Sequence, residues 1–294
     1  MTSWALITGG SVRLGRETGL AFARAGWNVA CHYNRSADAA QALCAELRSL
    51  GVQSLAVAGE LEDEASCQHI FNTTVATTGT DLRCIVNNAS LFVPDEGSDF
   101  DEAQALAQLQ VNLMAPMRFG KWLAALHGHG AAPQPPAPAT TPTTNTTQPT
   151  SSAQQITHHT PNHTPHLAAP SVVHVLDQKV FNLNPDYFSY TLSKLALERA
   201  VSLQAQSLAP TLRINAVAPG LMYLSGPQSQ DNFDRAAIAN LMRQPIDPAD
   251  VAHTVVFLAN NPSITGTTVR VDNGQHLVPL SRDIMFVVEE LFKP

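Results

Sequence analysis

Charge is scarce in this chain. Only 14% of its 294 residues are Asp, Glu, Lys or Arg, and the stretch from about Gly128 to Pro170 contains none of them. A basic excess is lacking too: 17 Lys and Arg against 24 Asp and Glu leave a net charge of −7, which argues against a nucleic-acid or anionic-membrane partner. Cysteine is limited to Cys31, Cys44, Cys67 and Cys84, without metal-ligand spacing, so reduced thiols are expected rather than a disulfide frame or a metal site. No apolar run is long enough to span a bilayer, and Met1-Thr2-Ser3-Trp4 has no basic lead-in to an apolar core. The expectation is therefore a cytoplasmic protein with neither secretion signal nor membrane anchor.

The uncharged stretch at about 128–170 is rich in Pro, Thr, Ala and Gln. It has too few large apolar side chains to offset its ordering entropy, so it is expected to be disordered. It joins a helix to the next strand, at the end of a parallel sheet away from any ligand, and reads as a tolerated insertion. His158, His159, His163 and His166 within it are taken as part of the low-complexity run, because metal ligands need rigid support.

On either side, short apolar runs alternate with helical patterns. Strands are expected at Trp4–Ile7, Asn28–Tyr33, Ser54–Ala58, Cys84–Asn87, Val172–Leu176, Arg213–Val217 and Thr268–Val271. Helices are expected at Arg16–Ala25, Ala37–Leu50, Asp63–Thr78, Ala103–Leu126, Tyr187–Ala209 and Asp247–Ala259. This alternation predicts an α/β protein: a single doubly wound parallel sheet of about seven strands, helices on both faces, and ligand at the carboxyl ends of the strands. The whole of 1–294 is read as one domain interrupted by the insertion.

Two motifs carry chemistry. Tyr190 and Lys194 stand four apart on an expected helix, so both project from one face, and the cation is expected to lower the tyrosine pKa and make Tyr190 a proton donor. Near the other end, Thr8-Gly9-Gly10-Ser11-Val12-Arg13-Leu14-Gly15 lies between a strand and a helix. Such a turn lets backbone N–H groups approach a pyrophosphate at a helix N-terminus.

With Asn87-Asn88-Ala89-Ser90, these motifs resemble those of the short-chain dehydrogenase/reductase family, whose patterns are Thr-Gly-x-x-x-Gly-x-Gly, Asn-Asn-Ala-Gly and Tyr-x-x-x-Lys. The resemblance covers nearly everything outside about 128–170 and implies a Rossmann-type fold with strand order 3-2-1-4-5-6-7. Three departures are informative: Arg13 replaces the middle glycine, Ser90 follows Asn-Asn-Ala, and Asp177 stands where a serine is usual. All three resemble the pteridine reductase and dihydromonapterin reductase branch.

The resemblance implies cofactor contacts at Thr8, Gly9, Leu14, Gly15, Asn88, Ala89, Ser90, Pro219 and Gly220, and at Glu60-Leu61 in place of the family's Asp-Val. Cofactor choice is read at the end of the second strand, where NAD sites place a carboxylate. Here Tyr33-Asn34-Arg35-Ser36 has none. Arg35 can pair with a 2′-phosphate, Asn34 and Ser36 can hydrogen-bond it, and Arg13 adds positive charge, so the expected cofactor is NADPH; the bland reading of Arg35 is a solvated loop residue.

Lys194 is expected to bind the nicotinamide ribose and Asn112 to hold a water relay, both by resemblance; Asn112 alone could equally serve its own helix. Asp177 selects the substrate class. A carboxylate opposes an alkoxide forming on a ketone but suits a ring bearing N–H groups or a nitrogen to be protonated, as in pterins. Its alternative is a turn aspartate after a strand. Phe92 resembles the phenylalanine that stacks on pterins, with core packing as the other reading. Ser90, Arg13, Asp177 and Tyr190 complete the expected substrate site. The activity expected is reduction of C=N bonds in dihydropteridine- or dihydrofolate-like substrates, against a carbonyl reductase or a non-catalytic cofactor sensor. A homodimer or homotetramer pairing through the helices of Asn112 and Tyr190 is implied by the resemblance. The patch Ile284–Val288 is a further candidate for contact with a neighbouring subunit.

Overall fold

The computed structural model describes residues 3–128, 168–226 and 228–291, so most of the low-complexity stretch and its histidines lie outside the described residues. Seven parallel strands form one sheet in the order β3-β2-β1-β4-β5-β6-β7: β1 Trp4–Ile7, β2 Asn28–Tyr33, β3 Ser54–Ala58, β4 Leu82–Asn87, β5 Ser171–Val175, β6 Arg213–Pro219 and β7 Thr268–Val271. The helices are α1 Arg13–Arg24, α2 Ala37–Ser49, α3 Glu64–Thr78, α4 Glu102–Leu109, α5 Ala115–His127, α6 Phe188–Leu208, α7 Gln230–Ala236, α8 Pro248–Asn260 and α9 Ile284–Leu291.

Successive strand residues point to opposite faces and enter different cores. Leu6, Ile85, Val172 and Ile214 pack with α3, α5 and α6. Ala5, Ile7, Val86, Val173 and Val217 pack with α1, α2 and α8. Burial on both faces is why these strands read as continuous apolar runs rather than alternating ones. The order reverses between β1 and β4, which opens a crevice at their carboxyl ends.

One expected helix is in fact two. Ala103–Leu126 divides into α4 and α5 around a π-helical turn, Gln110–Met114. Pro116, in the first turn of α5, has no N–H for the Asn112 carbonyl four residues back, so the regular ladder cannot continue there. Two acids before α4 fix helix starts: Asp101 caps α4 through Gln104 N at 2.8 Å, and Asp95 accepts from Ser189 N at 3.1 Å at the start of α6.

Arg83 ties down both flanks of the low-complexity stretch. Its guanidinium donates to His127 Nδ1 at 3.4 Å and to the Ala168 carbonyl, at the amino-terminal end of the strands. The two ends of the insertion therefore meet away from the crevice. The apolar patch near the C-terminus is partly covered within the chain: Ile284 and Val288 of α9 pack on Ala236 of α7, while Phe286 is 48% exposed. Among the described residues no helix is long and apolar enough to cross a membrane.

Candidate active site

The glycine turn after β1 is held from three sides. Thr8 Oγ1 accepts from Asn88 N at 3.0 Å and Ala89 N at 3.1 Å, and Asn88 Nδ2 donates to the carbonyls of Thr8 and Gly9 at 3.0 Å each. Gly9 N donates to His32 Nδ1 at 3.2 Å, while His32 Nε2 donates to the Gly59 carbonyl at 3.1 Å. That pattern assigns a neutral ring, and burial pushes the His32 pKa down to about 4. Gly9 takes φ +60°, and a Cβ on Gly15 would sit 2.1 Å from the Gly9 carbonyl, so the backbone is open where a side chain cannot fit. Arg13 sits at φ +49°, an uncommon conformation for a side-chain-bearing residue. Val12 offers no side-chain cap to α1 and the first turn has no acid, which leaves its N–H groups free for an anion.

Across the crevice, Tyr190 Oη donates to Asp177 Oδ2 at 2.9 Å. Asp177 Oδ1 accepts from Lys179 N at 2.8 Å, so Asp177 is a turn aspartate and the partner of Tyr190 together. Lys194 Nζ donates to the Val175 carbonyl at 2.8 Å and lies 5.7 Å from the Tyr190 ring centroid. The expectation that Lys194 lowers the Tyr190 pKa is therefore corrected. Burial, then the touching Asp177 carboxylate, raises it well above the usual phenol range. Burial also raises the Asp177 pKa and brings the Lys194 pKa down to about 8.

Asn112 is a clamp. Its Oδ1 accepts from Leu91 N at 2.8 Å and Ser90 Oγ at 3.2 Å, and its Nδ2 donates to the Leu91 carbonyl and Ser193 Oγ at 2.9 Å each. The side chain is thus committed to the loop after β4, while its carbonyl lacks the α-helical donor that Pro116 cannot supply.

The open space between these groups has two lobes that share Arg13, Phe92, Asp177, Met222, Tyr223 and Ser225. The larger, about 430 Å³, reaches Gly9, Gly15, Asn88, Ser90 and Tyr190. The smaller, about 190 Å³, reaches Lys179, Gly220, Gln275, Asp283 and Met285. Arg13 arches toward the segment after β6, donating to the Leu224 carbonyl at 3.2 Å. Phe92 lines both lobes, but its ring is stacked on Tyr187 with centroids 4.0 Å apart and meets Tyr190 edge-on at 4.6 Å. Phe92 is therefore packed and cavity-facing together.

Other expected residues stand further off. Asn34, Arg35 and Ser36 are exposed beyond β2 and Tyr33 is half-buried; among the described residues Arg35 makes no side-chain hydrogen bond or ion pair, and the Ser36 hydroxyl does not cap α2. Glu60 is exposed, whereas the Leu61 side chain packs in the core. Pro219 ends β6 in the interior. A Cβ on Gly220 would lie 2.5 Å from Gln275 Oε1, which accepts from Leu221 N at 2.8 Å. His32, Tyr187, Lys179, Gln275 and Asp283 were not foreseen. Among the described residues no group of three or more His, Cys, Asp or Glu could hold a metal ion, and all four cysteines are buried and free.

Comparison with known proteins agrees with this geometry. Residues 3–127 match the short chain dehydrogenase family and residues 144–276 the family described as enoyl-(acyl carrier protein) reductase. The crystal structure of FolM alternative dihydrofolate reductase 1 from Brucella canis, complexed with NADP, superposes with a TM-score of 0.75 at 29% identity over 94% of both chains. The 3-oxoacyl-[acyl-carrier-protein] reductase FabG of Staphylococcus epidermidis is 24% identical over 94% of this chain and 100% of its own. The dihydromonapterin reductase of Citrobacter koseri is 29% identical over 37% of this chain and 46% of its own. Sheet order, glycine turn and tyrosine–lysine helix together assign the chain to the short-chain dehydrogenase/reductase family.

Proposed function

We propose that this chain is an NADPH-dependent reductase of C=N bonds in dihydropteridine- or dihydrofolate-like substrates. The observation that carries the reading is the 2.9 Å bond from Tyr190 to Asp177. A carboxylate on the proton donor opposes an oxyanion forming beside it, and suits a substrate whose nitrogen takes the proton or whose ring N–H groups need an acceptor.

The cofactor contacts fit residues already in place. The Gly9–Gly15 turn and the uncapped start of α1 offer backbone N–H groups to the pyrophosphate. Exposed Arg35 with Asn34 and Ser36 takes the 2′-phosphate, Tyr33 and Glu60 flank the adenosine end, and Lys194 takes the nicotinamide ribose. Pro219 and Gly220 bring backbone to the nicotinamide end of the crevice. When bound, NADPH supplies the hydride to the imine carbon. Tyr190 gives its proton to the ring nitrogen and recovers one from solvent, while the Asp177 carboxylate, in contact with the Tyr190 hydroxyl, orients that donor and accepts from the ring N–H groups. Arg13, Ser90 and Phe92 line the space left for the pterin ring. Asn112 acts through the loop it clamps, and its carbonyl is the acceptor for a relay water.

Support for the pterin class comes from the Brucella canis and Citrobacter koseri proteins. The second reading, a carbonyl reductase, is favoured by the full-length match to the 3-oxoacyl reductase. NADPH oxidation by the purified chain with dihydropterins and dihydrofolate, beside ketones and 3-oxoacyl thioesters, separates the two. Turnover of the pterins, reduced at least ~10²-fold by Tyr190→Phe, is the expected result; turnover of ketones alone discards the proposal. Activity indifferent to Tyr190→Phe would indicate a cofactor sensor.

A further inference from the structure

Lys179 is a buried charge beside the cavity that the proposed chemistry does not use. It is 3% exposed, and its Nζ donates to Asp283 Oδ2 at 3.0 Å and to Asn184 Oδ1. The same ammonium lies 5.7 Å from the centroid of Tyr187, the ring stacked behind Phe92. Its backbone N–H holds Asp177 Oδ1 at 2.8 Å. Asp283 in turn accepts from Met285 N at 3.3 Å at the start of α9 and lines the smaller lobe beside Asp177. One lysine thus touches the Asp177 turn, the aromatic slab and the helix that closes the cavity. A desolvated lysine at such a junction needs a fixed anionic partner, and Asp283 provides it.

We propose that Lys179, locked by Asp283, is a positioning residue for the substrate site, coupling the docking of α9 to the placement and charge of Asp177. The inference rests on Asp177 and Tyr190 being the proton-handling pair.

The charges around Asp177 give this coupling a sign. Tyr190 and Lys194 face it from α6, Lys179 from its own turn, Asp283 from the start of α9, and Arg13 and Tyr223 from across the cavity. Lys179 favours the Asp177 carboxylate and Asp283 disfavours it. Removing either member of the one ion pair should therefore move Asp177 in opposite directions, whereas a merely structural pair would cost stability the same way from either side.

The test is the pH dependence of kcat/KM for Asp283→Asn, Lys179→Met and Lys179→Arg, on whichever substrate class the unaltered protein reduces. The acid-side limb should fall by about one pH unit in Asp283→Asn, rise by about as much in Lys179→Met, and return in Lys179→Arg. Limbs that stay put, or shift in the same direction in the first two variants, overturn the proposal. If Lys179→Met does not fold, the near-isosteric Asp283→Asn decides alone, an unmoved limb counting against. Unaltered protein that reduces only ketones would sink the pterin reading while leaving both shifts measurable on the ketone.

Discussion

At Tyr190 two charges compete for one hydroxyl. Lys194 shares its helix face, as the four-residue spacing requires, yet its ammonium bonds the Val175 carbonyl, whereas Asp177 touches the hydroxyl itself. Contact outweighs proximity in a desolvated site, so the phenol is held protonated. Arg35 poses a simpler problem, an exposed guanidinium at the end of β2 without a partner among the described residues. Arg35→Asp should raise the NADPH KM about 10–100-fold, the scale of a lost charge-assisted contact, and leave NADH much less affected. Paired titrations with the two cofactors check this; equal losses would contradict it. The candidate residues set by local motifs, which the structure brings to the crevice, were legible in the sequence: Tyr190, Lys194, Asp177 and the Gly9–Gly15 turn. Lys179, Asp283 and His32 were not, because a lone lysine or histidine gains its meaning only from partners distant in sequence (Asp283 stands 104 residues beyond Lys179).

Among the elements, every strand was legible from its apolar run to within two residues, because burial on both faces leaves little room for other residue types. The π-helical turn at Asn112 was hidden, since the apolar periodicity continues through it and only Pro116 marks the break. The short α7 was also missed: it has only seven residues, and its burial is supplied by α9. That packing buries Ile284 and Val288 within the chain but leaves Phe286 half-exposed, and α4 and α6 expose Leu106, Leu192 and Leu203. Leu203, 65% exposed toward the C-terminal end of α6, is the position to probe. Leu203→Lys should lower the mass seen by light scattering if the chain assembles through this face, as we infer. An unchanged assembly would place the interface elsewhere.

For the whole molecule, titration of the interior sets the pH range of stability. His32 and His174 are buried and neutral, each brought down to about 4 by desolvation. The unfolded chain takes up protons near 6.5 that the folded chain refuses, so each histidine contributes fully above 6.5, and this is lost as pH falls toward 4. The loss is up to about 3 kcal/mol apiece. Asp177, raised by burial, has the opposite sign over its own interval, but it is one group against two. Urea midpoints should drop between pH 6.5 and 4, and His174→Asn should flatten the slope; a midpoint that holds or rises on acidification would refute the account. Arg83 gathers the two flanks of the low-complexity stretch at the end of the sheet opposite the crevice.

Asp177→Ser, assayed by NADPH oxidation with dihydropterins and with ketones beside the unaltered protein, tests the central claim most directly. The account predicts loss of pterin turnover by at least ~10²-fold, with ketone turnover spared or raised, because a hydroxyl donor would then stand where a carboxylate opposes an oxyanion. Pterin turnover that survives the change, or equal loss with both substrates, would mean that Asp177 serves its turn and not the substrate.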